Sequence, residues 1–448
     1  MVRLIYNLLF SVFFLFSAPF YFWKMWRRGG WQAGFAQRFG FYDRGVVARL
    51  RSGKPLVWMH AVSVGEVNVC VPLQRELRKK FPDHSWLVST TTSTGMAELN
   101  HQLDADVLRI YYPIDFAPLV RRVLRLIGPS MIILVEAEIW PNLLWQAESR
   151  SIPVSLVNAR LSDSSYRGYR RTGFLFRRIF GSLNSVGAQA EEDIARWVEL
   201  GCRRECVSLT GNIKFDILPE GAPGRVDAKS VVRGLGIATD AKIIVGGSTH
   251  AGEERILAEV FQALKVHDQR LFLIVVPRHM ERGAAVAKEI ASLGLRVRRR
   301  SAIGGQSSDP TRPVDCLVVD TTGELMDFYA IADVVFVGKS LTARGGQNPL
   351  EPAKFGKPLI FGKKMGNFRA IVRQLLLERA AIMVENPAEL EIELAKILNN
   401  SDSAGVLAGN ARRVMAKNTG SLMRTCELLD ERRKKKLTKG LDEGGLIS

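Results

Sequence analysis

The sequence predicts an α/β chain of two doubly wound parallel-sheet domains behind an N-terminal apolar helix. Three observations predict it. Short apolar runs alternate with longer amphipathic segments, as in a parallel sheet wrapped by helices. The alternation stops at residues 211–225 (GNIKFDILPEGAPGR), dense in Gly and Pro, and then restarts. Residues 4–23 (LIYNLLFSVFFLFSAPFYFW) carry no charge.

The uncharged run comes first. At 1.5 Å rise, about 20 residues match a hydrocarbon core of about 30 Å. Trp23 and Trp26 suit the interface; Lys24, Arg27 and Arg28 follow, and only Arg3 precedes. The positive-inside rule then places the rest of the chain in the cytoplasm. A cleaved signal would carry its cations in front. Residues 1–30 are therefore expected to form a single-pass membrane anchor. Asn7, Ser11, Ser17 and Pro19 soften the run, so lying in the interface is the other reading.

Residues 31–52 read as a basic helical stretch. Strands are expected at 55–62, 85–90, 130–135, 152–158 and 185–189, with helices at 67–80, 94–103, 142–149 and 191–200. These define a first domain over 31–216, followed by a linker over 217–228. The second domain, 229–430, repeats the pattern. Its strands are expected at 241–247, 271–276, 316–319, 334–337 and 358–361. Its helices are expected at 253–266, 284–293, 325–331, 350–355, 371–378, 389–399 and 404–429. Residues 431–448 read as a polar tail. Such sheets bind ligands at the carboxyl ends of their strands, and two facing each other make a cleft.

Composition limits the function classes. The chain has 448 residues, too many for one ordinary core. Apolar residues at 47% and charged residues at 24% exclude a largely disordered chain. Five scattered cysteines form neither a disulfide framework nor a zinc-ligand pattern. The net charge of +18, shared evenly by the two halves, implies an anionic partner: nucleic acid, a membrane surface or a phosphorylated substrate.

Several segments can carry chemistry. In His60-Ala-Val-Ser63-Val-Gly65-Glu66, Ser63 can cap a helix, Gly65 allows close approach and Glu66 lies in the first turn. Glu66 either complements the helix dipole or serves as a general base. Glu136 and Glu138 end an apolar strand, on one side by the period of two. One of them can bind a metal, although no Asp-x-Asp stands nearby. Lys214, in TGNIKFD, is either a solvated hinge charge or a partner for a phosphate or sugar carboxylate. In the second half, Gly246-Gly-Ser-Thr-His250 lacks Walker spacing. Pro277-Arg278-His279, Thr322-Gly323-Glu324 and Gly345-Gly-Gln-Asn348-Pro349-Leu350-Glu351 follow strands or open helices. Arg278 suits a phosphate, helix N–H groups at 322–324 can hold one, and Glu351 can accept both ribose hydroxyls. Four such loops on one domain form a nucleotide-site signal.

The stretches HAVSVGEV, VEAEIWPNL, NARLS, GNIKFD, STHAGEE, VPRH, TTGELMDFYAIADVVFVGKSL and GGQNPLEPAKFGKPLIFG run in order from about residue 54 to 365. In them the chain closely resembles the bacterial 3-deoxy-D-manno-octulosonic acid (Kdo) transferases of lipopolysaccharide synthesis. The resemblance implies a GT-B fold of two Rossmann-like domains, with CMP-Kdo as donor and a lipid A precursor (lipid IVA) as acceptor. It implies inversion at the sugar, no essential metal, no cofactor beyond the donor, and a place on the cytoplasmic face of the inner membrane with its anionic lipids.

Glu66 then corresponds to the general base, and Glu136 and Lys214 to transition-state stabilisers. Pro277, Arg278, Thr322, Gly323, Glu324, Asn348, Pro349, Leu350 and Glu351 correspond to the CMP contacts, with Ser63, Gly65, Glu138 and His279 beside them. Two positions depart from the pattern: Ala137 stands where many members have Thr, and Lys339 where many have Gly. Residues 166–180 hold five arginines among aromatics, either a solvated helix face or a grip on lipid headgroups. The rival classes are another membrane-associated nucleotide-sugar transferase and a membrane-tethered nucleic-acid-binding protein. Against the latter, no helix-turn-helix, zinc-finger or RNP motif is visible, so no nucleic-acid partner is expected.

Overall fold

The computed structural model describes residues 2–27, 32, 34–50, 53–217, 226–303 and 314–444; the side chains of residues 21, 22, 24, 25 and 436–444 lie outside that description. Two compact units divide the chain: Met1–Ile217 with Asn418–Ser448, and Leu218–Lys417.

The first unit is a seven-stranded sheet of β1 (Leu56–His60), β2 (Ser85–Thr90), β3 (Leu108–Tyr111), β4 (Met131–Val135), β5 (Val154–Ala159), β6 (Ser185–Ala188) and β7 (Val207–Leu209). The order is β3-β2-β1-β4-β5-β6-β7 and every pairing is parallel. Helices cover both faces, which is why β1 and β4 are buried at every position and, His60 apart, apolar. Alternation sorts their side chains. Trp58 faces a cluster with Leu134, Phe180 and Trp197, while Val57 and Met59 face another with Cys70, Leu77 and Ile133. The chain runs outward from β1 to β3 and returns at β4. The carboxyl ends of β1 and β4 therefore flank the topological switch point.

The second unit repeats the plan with β8 (Lys242–Thr249), β9 (Leu271–Pro277), β10 (Val297–Arg299), β11 (Cys316–Val318), β12 (Val334–Val337), β13 (Leu359–Gly362) and β14 (Ile382–Val384). The parallel order is β10-β11-β9-β8-β12-β13-β14, with the switch point between β8 and β12.

Four differences from the sequence reading have physical causes. The edge strands β3, β7, β10 and β14 are only three or four residues long, too short for a clear period. Residues 31–52 are not one helix: Gly40, at φ 76°, ends a 3₁₀ turn Ala36–Phe39 before the helix Arg44–Leu50. Residues 404–429 are likewise two helices, Ser401–Asn418 and Ser421–Gly444, parted at Gly420 with φ 84°. The latter belongs to the first unit, so the second domain ends at Lys417 rather than residue 430. Asp216 makes that attachment, accepting from Gly420 N at 2.8 Å and Leu422 N at 2.7 Å, and Cys426 and Leu429 enter the first unit's core. Residues 431–444, expected as a polar tail, continue that helix. Of the expected linker, residues 218–225 lie outside the described residues, as does Arg28 of the anchor.

Candidate active site

Glu66 sits on the helix Val64–Lys80, which leaves β1 at the first unit's switch point. Ser63 is its N-cap, accepting from Glu66 N. The Glu66 carboxylate reaches back: Oε2 accepts from Val62 N at 2.8 Å and Oε1 from Ser63 Oγ at 2.9 Å. This is a close relative of the capping box, so the helix-end role is real. It also fixes the carboxylate while each oxygen keeps a further lone pair. Burial pushes the Glu66 carboxyl above the usual carboxylate range, against those two hydrogen bonds and the Lys214 charge. A Cβ on Gly65 would meet only Ser63 Oγ, at 3.8 Å, so the space over Gly65, next in the chain to Glu66, is open.

Glu136 follows β4 with φ 62°, a left-handed conformation uncommon outside glycine and found where a site imposes it. The strand alternation therefore ends at Val135, and the period-two placement of Glu136 and Glu138 does not hold. They converge by the turn instead. Glu136 is buried and Lys214 Nζ lies 2.5 Å from its Oε1. Lys214 is delivered by the 3₁₀ turn Ile213–Phe215, held where Asn158 Oδ1 accepts from Ile213 N at 2.9 Å. Glu138 completes the group. Burial first, then the Glu66 charge, pushes its carboxyl up to about 8, so at neutral pH it is mainly an uncharged acid. His60 is a core residue: fully buried, bonded to Ser89 Oγ at 2.9 Å, and driven by burial down to about 3. Among the described residues, no three His, Cys, Asp or Glu side chains gather as a metal-binding group.

In the second unit the expected nucleotide loops leave β8, β9, β11 and β12, around its switch point. Arg278 N donates to Thr249 O at 3.0 Å, tying the exits of β9 and β8 together. Pro277 is buried, while Arg278 and His279 are exposed; His279 lies 3.6 Å from the Glu281 carboxylate. Glu351 faces the Arg278 charge, which holds it down, but burial dominates and pushes it up to about 6. Asn348 Oδ1 accepts from Leu350 N at 3.1 Å, and Pro349 and Leu350 are buried beneath. Thr322 and Gly323 are exposed, with Thr322 Oγ1 against Met280 Sδ beyond β9. Glu324 is already engaged: Oε2 accepts from Arg300 Nε at 3.0 Å and Thr321 Oγ1 at 2.7 Å, so it braces the loop.

Sequence reasoning missed the groups that hold these loops. Glu253, fully buried, accepts from the amides of His250, Lys339, Ser340 and Leu341 at 2.7–2.9 Å, clamping the β12 exit to the β8 exit. Glu254 takes Thr249 Oγ1 and both terminal nitrogens of Arg282. The paired glutamates of STHAGEE were the available signal. Asp115, buried after β3, accepts from Asn142 N and Leu143 N, each at 3.0 Å, and so caps the helix Pro141–Glu148 from outside it. Lys339 stands at φ 57°, a left-handed conformation that favours glycine.

Two doubly wound domains in one chain, each with its charged groups at strand carboxyl ends, are the architecture of the GT-B fold. The family model for 3-deoxy-D-manno-octulosonic-acid transferase (kdotransferase) matches residues 33–217. A 3-deoxy-D-manno-octulosonic acid transferase of Haemophilus influenzae is 33% identical over 396 residues, 88% of this chain and 90% of that one. One of Bordetella pertussis is 33% identical over 431 residues, covering 92% and 96%. The crystal structure of the C-terminal CMP-Kdo binding domain of WaaA from Acinetobacter baumannii is 30% identical, covering 42% of this chain and 95% of that one, at a TM-score of 0.38. The chain belongs to the 3-deoxy-D-manno-octulosonic acid transferase family.

Proposed function

We propose that the chain transfers Kdo from CMP-Kdo to a sugar hydroxyl of a phosphorylated lipid A precursor such as lipid IVA, with inversion and without an essential metal. The observation that carries this reading is the group at the first unit's switch point. A fixed carboxylate, Glu66, has raised proton affinity, follows Gly65 with its open Cβ direction, and feels the charges of the Glu136–Lys214 pair. Glu66 removes the acceptor's proton as its oxygen attacks the anomeric carbon of Kdo. Attack opposite the leaving group inverts that centre. The negative charge of Glu136 suits the oxocarbenium character that develops there, and Lys214 suits the sugar carboxylate. In the second unit Arg278 meets the phosphate of departing CMP and Glu351 accepts the ribose hydroxyls. The apolar N-terminal helix keeps the enzyme at the inner membrane, where its acceptor lies, with both domains on the cytoplasmic face. The test is incubation with CMP-Kdo and lipid IVA, with the product read by mass spectrometry. A product heavier by one or more Kdo units is expected, and an unmodified acceptor refutes the reading.

A further inference from the structure

The N-terminal helix, Val2–Arg27, is tied to the first unit at its beginning. Arg3 Nη2 lies 3.3 Å from Glu148 Oε2, and the Arg3 guanidinium lies over the Trp145 ring. Tyr6 Oη donates to Asp115 Oδ2 at 3.2 Å, and its ring meets Trp145 edge-on at 5.4 Å. The Asn7 and Asn142 amides pair in both directions, at 3.2 and 3.0 Å. Asp115 and Asn142 are themselves buried parts of the domain. The helix then leaves the protein: Leu8, Leu9, Phe13, Leu15, Phe16 and Phe20 are 57–79% exposed.

The chain is tied to the same unit again just beyond the helix. Gly34 packs so closely on the Tyr111 ring that an added Cβ would lie 1.8 Å from it. Gln37 Oε1 accepts from Tyr111 N at 2.9 Å, Arg38 O accepts from Ile114 N at 2.8 Å, and Arg38 Nη1 donates to Thr91 O at 2.7 Å. Both tethers thus hold the segment beyond β3, the first also gripping the helix beyond β4 and the second the exit of β2.

Chain length decides what the helix can do. From Asn7 to Arg27 a straight helix rises about 30 Å, the thickness of a hydrocarbon core. From Arg27 the chain has seven residue steps to reach Gly34, at most about 23–25 Å fully extended. If the helix crossed a bilayer, this segment would have to recross it, and it is too short. It would also carry unpaired backbone groups, Arg28 and two glycines through lipid, which hydrocarbon does not tolerate.

From these two tethers we infer that the N-terminal helix does not span the membrane but lies within one leaflet, with both of its ends on the side of the catalytic domains. The partner is an anionic lipid leaflet. Cations stand at both ends, Arg3 at one and Lys24, Arg27 and Arg28 at the other, as a helix with both ends at one charged surface requires. The tether also fixes where the domain meets the lipid, because the Tyr6–Asp115 and Asn7–Asn142 contacts let the helix leave on the strand-exit side of the sheet.

The test uses the full chain in cell membranes. Its five native cysteines are all buried, so single introduced cysteines report alone. Arg27→Cys and, as the domain's reference, the exposed Glu192→Cys are treated with an impermeant maleimide in sealed spheroplasts and in inverted inner-membrane vesicles. Both should label in inverted vesicles and neither in spheroplasts. Labelling of Arg27→Cys in spheroplasts, with Glu192→Cys protected there, overturns the inference. The unmodified chain gives an independent reading. Trypsin should cut the basic cluster at residues 24–28 in inverted vesicles; cutting there only in spheroplasts overturns the inference equally.

Discussion

Lys214 Nζ lies 2.5 Å from Glu136 Oε1, joining the turn that follows β4 to a 3₁₀ turn beyond β7. Only 9% of the Glu136 side chain and 30% of that of Lys214 are exposed. Glu136 also holds a left-handed backbone, so the pair sits where the fold bears local strain.

Removing one partner of so shielded a pair leaves the other charge uncompensated. Lys214→Met should destabilise the protein by about 2–3 kcal/mol, below the roughly 3–5 of a fully buried pair because Lys214 is partly wet. Adding Glu136→Gln should recover most of that stability and none of the transfer activity. Urea denaturation and a transfer assay on the native chain, each single variant and the double variant check both. A double variant no more stable than Lys214→Met would show that the two charges are not coupled.

Glu66→Gln keeps a side chain of the same shape, with one oxygen to accept from Val62 N, but loses the base. Transfer should fall about 10²–10⁴-fold while CMP affinity stays within error. Because burial raises the Glu66 carboxyl and its deprotonated form is the active one, kcat/KM should rise with pH along a limb above the ordinary carboxylate range. Isothermal calorimetry and a pH series check these points, and near-normal turnover would remove Glu66 from the chemistry.

The site was legible in the sequence wherever residues near in the chain act together. HAVSVGEV shows its cap and its carboxylate at a spacing of three, and β1, β4, β8 and β9 announce themselves by unbroken apolar runs. What could not be read depends on distant partners. The Asn158 amide that positions the Lys214 turn, and the Glu253 carboxylate that gathers four amides, are fixed by sheet order rather than local pattern. Glu324 reads in the sequence as a free ligand, but Arg300, 24 residues away, occupies it. The C-terminal helix was misassigned because its apolar period runs through Gly420 without a change of phase, and only distant partners such as Asp216 and Thr210 show which unit it joins.

On the second unit, Arg278 and Glu351 should act on the donor alone. Arg278→Ala and Glu351→Ala should each weaken CMP binding roughly 10–150-fold, the loss of one charged hydrogen bond worth about 1.5–3 kcal/mol. Glu324→Ala should behave differently, because it frees Arg300 and loosens the loop: its thermal midpoint should drop as well. Calorimetry beside a melting curve separates the two classes. Unchanged CMP affinity in both Arg278→Ala and Glu351→Ala would exclude them from the donor site.

Glu138 gives a pH test whose sign follows from its surroundings. Its carboxyl is pushed from an ordinary 4.5 up to about 8, first by burial, then by the Glu66 charge, with Glu136 adding, and against the Trp140 hydrogen bond. Between those values the folded protein keeps a proton that the unfolded chain releases. Unfolding therefore releases a proton, and stability falls as pH rises. The contribution is fully present below pH 4.5 and is lost as pH rises through 8. Glu138→Gln carries no titrating group and escapes that loss. Relative to the native chain it should gain stability progressively from about pH 5 to pH 8, levelling off above, by roughly 1–3 kcal/mol at pH 9 once relaxation and water entry soften the burial. Any constant offset from altered hydrogen bonding is subtracted by comparing pH 5, 7 and 9 in urea. A difference between the two proteins that does not change with pH would show that Glu138 titrates as an ordinary surface carboxylate, and that the switch point does not hold an uncharged acid at neutral pH.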